Sequence, residues 1–156
     1  MRFSPRTLYR QVSIAEAITW TLLIGGMILT YGFDAAPLPV KIGGFLHGLV
    51  FLTYGATAII VGWNQRWSAK QTAAAVGTAI IPWATIPFDH SIDRRGLLDG
   101  EWRTAATERP EDRGAFGSLM LWFLARPVLF FTTMIVGIAM VMGVLLFLGP
   151  PGGPRN

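Results

Sequence analysis

Apolar residues fall in long, nearly unbroken runs separated by short polar clusters, without the regular alternation of a soluble core. A spanning α-helix needs about 20 largely apolar residues. The pattern predicts such segments over residues 12–31, 40–63, 71–88 and 127–148. The third is the weakest, being rich in Ala and Thr, interrupted by Pro82 and ended by Pro87. Residues 32–39, with Asp34, Pro37 and Pro39, form the first loop, and 64–70 a tight polar turn. Residues 99–118 read as a polar loop, and 119–125 as a short apolar stretch in the interface. Arg126-Pro127 then opens the last helix, since Pro suits a first helical position and Arg can snorkel to headgroups. Gly149-Pro150-Pro151 stops it, and the tail to Asn156 is expected to be disordered. The expected fold is an all-α integral membrane protein. Three to four transmembrane helices form a bundle, with a polar loop before the last. A membrane-embedded unit covers 1–98, the loop 99–118, and a final segment 119–156.

Composition strengthens this reading. Charged residues make up 14% of the chain, against about 25% in a soluble domain. Between residues 12 and 88 the ionisable groups, tyrosines aside, are Glu16, Asp34, Lys41, His47, Arg66 and Lys70. Arg2, Arg6 and Arg10 precede an apolar run too long for a signal-peptide core, so that run is read as a first span. The net charge of +4 comes from arginines at segment ends, not from a basic stripe with interleaved aromatics, which argues against nucleic acid. The absence of cysteine excludes disulfides, thiolate metal sites and cysteine nucleophiles. Tyr9, Tyr31, Trp63, Trp67 and Trp122 lie at segment ends, where interfacial aromatics belong. Four spans with both ends in the cytoplasm are expected. That arrangement puts the arginine-rich stretch 89–126 outside, against the positive-inside tendency, and a re-entrant third segment would remove the conflict.

Glu16 is the leading candidate for function, because a carboxylate within a span faces a partner or a water-filled cavity. The plainer alternative is a glutamate protonated or hydrogen-bonded to a neighbouring helix. His47 follows, with the plain alternative of a neutral ring bonded to another helix. Counted from their shared loop, the two lie at levels about 12 Å apart, so no direct pair is expected. The same count sets Glu16 level with Tyr54 and Thr57, its expected partners. Gly44 and Gly48 form a small-xxx-small pair that permits close helix approach, and Gly137 and Gly143 are small positions in the last span. Asp89, His90 and Asp93 suggest a metal site only loosely, and neither a metal nor any other cofactor is expected.

Residues 8 to about 98 resemble the domain of unknown function 3817 family of small bacterial integral membrane proteins. The resemblance rests on Ala15-Glu16, on Pro39-Val40-Lys41-Ile42-Gly43, on His47-Gly48 with Phe51 and Tyr54, on Trp67-Ser68, and on Ile81-Pro82 through Pro87-Phe88-Asp89. It implies a helical membrane unit of about three spans in a bacterial plasma membrane, and brings no established activity. No nucleophile–base pair or ligand set is legible. The expected function is that of a non-catalytic accessory or structural subunit, whose partners are other membrane proteins and the lipid bilayer. The alternative is a small transporter or proton-coupled module using Glu16 and His47.

Overall fold

The computed structural model describes residues 4–149, so Arg2 and the expected disordered tail lie outside the described residues. The chain forms two compact units, Met1–Trp102 and Arg103–Asn156. Every element among the described residues is helical. Three helices are long and apolar enough to cross a membrane: Pro5–Gly32, Leu38–Asn64 and Pro127–Leu148.

In the first unit, α1 (Pro5–Met27) starts on Ser4, whose side chain accepts from the Thr7 amide while Pro5 fills the first turn. It continues through a π-helical stretch, Ile28–Gly32, and the chain turns at Asp34, which has φ 51°. The antiparallel partner α2 (Leu38–Asn64) packs closely against it at two glycines. A Cβ on Gly26 would stand 2.7 Å from the Pro39 carbonyl oxygen, and one on Gly43 2.9 Å from that of Leu22. Only glycine permits these approaches. The expected pair is therefore displaced. A Cβ on Gly44 would find a single side-chain atom at 3.9 Å, and Gly48 is half-buried.

The expected helix over 71–88 is not continuous. A turn at Arg66 leads to α3 (Ala69–Thr78), which Ser68 and Gln71 open with a reciprocal capping box. The helix tightens into i→i−3 bonds from Ala79, Ile80 and Ile81. Pro82 then disfavours helical backbone at Ile81, and Trp83 takes φ 61°. A second short helix follows, α4 (Thr85–Arg94). Pro87 sits in its first turn, where a missing N–H is harmless, so it helps to begin a helix instead of ending one.

These two short helices form a hairpin that enters the bundle and returns. Trp20, near the middle of the first span, donates to the Ala79 carbonyl at 3.0 Å, and the Trp83 indole donates to Thr21 at 3.0 Å. At the other end of α4, Asp93 is 2.7 Å from both Arg6 and Arg10. The Trp67 indole, just before α3, donates to the Leu97 carbonyl at 2.8 Å. The hairpin thus starts and finishes at the end of the unit where α1 begins. With three candidate spans instead of four, the expectation that both chain ends lie on one side no longer follows.

In the second unit, α5 (Pro110–Arg113) and α6 (Ala115–Leu124) interrupt what reads in the sequence as loop, and the apolar helix begins earlier than residue 119. Buried Asp112 organises the segment before them, accepting from Arg103 at 2.7 Å and from the amide and hydroxyl of Thr107 at 3.1 and 2.6 Å. In α7 (Pro127–Leu148) only Phe130 and Met142 are buried. The Arg126 guanidinium stacks 4.3 Å over the Trp122 ring, holding the junction between α6 and α7.

Candidate functional site

Glu16, His47, Tyr54 and Thr57 are all buried in the first unit. The α1–α2 register decides which of them meet. Thr19 faces His47 across the same packing that sets Gly26 against Pro39 and Gly43 against Leu22. His47 therefore lies only about one helical turn, roughly 4.5 Å along the axis, from the level of Glu16. The expected separation of about 12 Å is wrong because α2 begins two residues early and the two helices do not start level at their loop.

Thr19 joins the two residues. Its hydroxyl donates to the Glu16 carbonyl at 3.0 Å and lies 3.3 Å from His47 Nδ1. A hydroxyl has one proton. With that proton on the Glu16 backbone carbonyl, His47 Nδ1 is the donor in the second contact. The ring is flanked by Trp20, at a centroid distance of 4.3 Å, and by Phe51 at 6.0 Å.

The Glu16 side chain does not bond Tyr54 or Thr57, as the depth count suggested. Its partner is Thr85 in the first turn of α4, whose hydroxyl is 3.1 Å from Glu16 Oε2 and 3.1 Å from the Ser13 carbonyl oxygen. Glu16 Oε1 and the Thr57 hydroxyl are buried without a hydrogen-bond partner. Tyr54 instead meets Tyr9, hydroxyl to hydroxyl, at 2.7 Å, and reaches the hairpin through the Ala75 carbonyl and the Thr78 hydroxyl, each at 3.0 Å.

Sequence reasoning missed the ionic half of this arrangement. Asp89 and Asp93 read in the sequence only as part of a loose hint of a metal site, yet Thr85, Asp89 and Asp93 recur every four residues on one face of α4. Against them stand Glu16, Arg10 and Arg6 of α1. Arg10 contacts Asp89 at 3.0 Å and Asp93 at 2.7 Å, and Asp89 is buried while the neighbouring His90 is exposed. The signal was present as an i, i+4, i+8 series facing an i, i+4 arginine pair. Among the described residues, a Cβ on Gly137 or Gly143 would meet nothing within 4 Å.

The family described as Domain of unknown function (DUF3817) matches residues 6–94. The chain belongs to the DUF3817 family. The match begins at Arg6 and ends at Arg94, so the DUF3817 portion runs from the first clamp arginine to the last residue of α4 and takes in the whole hairpin and every residue of this site. A Streptomyces coelicolor protein named "Putative membrane protein SCO5905" is 35% identical over 88 residues, covering 56% of this chain and 10% of that protein. The chain thus matches about a tenth of the length of this curated relative. No solved structure matches the chain.

Proposed function

We propose that this DUF3817 protein is a non-catalytic accessory subunit of a larger assembly in the bacterial plasma membrane. One observation carries the reading. Most of the buried polar side chains named above hold helix to helix: Thr19 with His47, Glu16 with Thr85, and Tyr54 with both Tyr9 and Thr78. Groups arranged for turnover converge on a space a substrate can enter, whereas these converge on one another. The Streptomyces relative supports the same reading, since there the matched stretch is a small part of a long chain. The lipid bilayer and other membrane subunits are the partners this requires, and nothing in the charge pattern favours nucleic acid.

A second reading, a proton-coupled module, is favoured by one specific feature. Glu16 and His47, the two titratable side chains buried at this depth, sit about a turn apart, with Thr19 bonded to the Glu16 backbone carbonyl and 3.3 Å from His47 Nδ1. Gentle solubilisation followed by size separation distinguishes the two. The accessory reading expects a particle well above 17.1 kDa plus detergent. A free monomer under every mild condition, together with proton flux in vesicles that Glu16→Gln abolishes, would replace it with the second.

A further inference from the structure

We propose that Glu16 is a proton-binding site: it sits in the bundle as a neutral carboxylic acid donating to Thr85, and loss of its proton unlatches the re-entrant hairpin from α1. The inference does not depend on the accessory-subunit reading.

The Thr85 hydroxyl lies 3.1 Å from two oxygens, the Ser13 carbonyl and Glu16 Oε2, and has one proton to give. The carbonyl can only accept. With the Thr85 proton on Ser13, the contact to Glu16 needs a proton from the carboxyl group. Placing the Thr85 proton on an ionised Glu16 is worse. That carboxylate would hold a single hydrogen bond, while its other oxygen, Oε1, is buried with no partner. A buried charge so poorly matched is strongly disfavoured. The neutral acid satisfies both contacts.

Among the described residues no cation pairs with the Glu16 carboxyl. On α1, Arg10 is committed to Asp89 and Asp93. From α2 come the Tyr54 hydroxyl, bonded into the hairpin, and His47, whose Nδ1 meets Thr19 and not the Glu16 carboxyl. The one buried residue of α3 is Ala75, which carries no charge. From α4 comes Asp89, which is negative when ionised and adds repulsion. Ionising Glu16 would therefore draw the single Thr85 proton to the carboxylate, break the bond from α4 to the Ser13 carbonyl, leave Oε1 unpaired and set a second acidic charge beside α4. Release of α4 with its hairpin lets water reach the carboxylate.

The test uses the full chain in lipid vesicles, brought from neutral to alkaline pH. Infrared difference spectra of wild type against Glu16→Gln should show the carbonyl stretch of a protonated acid at neutral pH, missing from the variant. Hairpin release is read separately with Ala79→Cys, since Ala79 is buried and the chain has no other cysteine. Its labelling by a water-soluble maleimide, divided by that in the Glu16→Gln background so that the ionisation of the thiol itself cancels, should rise about tenfold per pH unit until the hairpin is fully open. In the Glu16→Gln background, where the amide donates to Thr85 at every pH, labelling should follow thiol ionisation alone. No protonated-acid band from Glu16 at neutral pH, or an equal rise in both backgrounds, would overturn the proposal. Should Ala79→Cys fail to fold, the infrared comparison still decides it.

Discussion

Asp93 shows how much depends on single contacts at the end of α4. The hydrogen bond from Arg6 above all holds its carboxyl below the ordinary 3.8, with burial opposing it and the hydrogen bond and charge of Arg10 assisting. A group whose folded value is depressed contributes stability above its unfolded value and loses it as pH falls through the folded one. The bond between α4 and α1 should therefore be constant above about pH 4 and weaken as acid is added below that. Arg6 is half exposed, so the contribution is modest. Thermal unfolding in detergent, followed across acid pH, should show a descending limb in wild type that is shallower in Asp93→Asn. Equal limbs in the two proteins would mean that Asp93 is not the group being titrated. The sequence marked Glu16 and His47 as buried polar positions, and the structure sets each within hydrogen-bond distance of a threonine on another helix. Their partners were not legible. A side chain is paired by helix register, which a count from an irregular loop misplaces by more than a turn.

At the scale of elements, the register of α1 against α2 rests on Gly26 and Gly43. Each faces backbone of the opposite helix, which cannot move aside as a side-chain tip can. Gly43→Val should force the helices apart and destabilise the first unit by about 1–3 kcal/mol, the usual range for overpacking. Gly44→Val, one residue along and facing only the Leu23 side chain, should be close to neutral. Unfolding midpoints of the two variants check this, and equal losses would show that the crossing is not set at Gly43. The three long helices were readable because length and apolarity alone specify a span. The third segment was not, because its two prolines have different effects. Pro82 breaks a helix and Pro87 sits harmlessly in the first turn of the next, and a linear reading treats both as interruptions. The hairpin also needs tertiary partners, Trp20, Thr21 and Arg10, which lie 59 to 79 residues away in sequence.

For the molecule as a whole, the returning hairpin changes the distribution of charge across the bilayer. Arg6 and Arg10 begin α1, Arg66 and Lys70 lie at the α2–α3 turn, and Arg94 and Arg95 end α4. The hydrogen bonds from Trp67 to Leu97, Asn64 to Glu101 and Gln65 to Gly100 draw these segments to one end of the first unit. At the other end, beside the π-helical stretch and the loop to α2, the charged residues are Asp34 and Lys41. Six cations face one, and the positive-inside tendency predicts from this a cytoplasmic first end. A continuous third span would have sent Arg94 and Arg95 to the opposite face, so the break at Pro82 and the charge asymmetry support each other. Single cysteines at Lys70, Gly96 and Phe33 would test this in sealed vesicles of known orientation. Lys70 and Gly96 should react from the same, cytoplasmic side, and Phe33 from the opposite side only. If Gly96 instead labels together with Phe33, the third segment crosses the bilayer and the hairpin does not return.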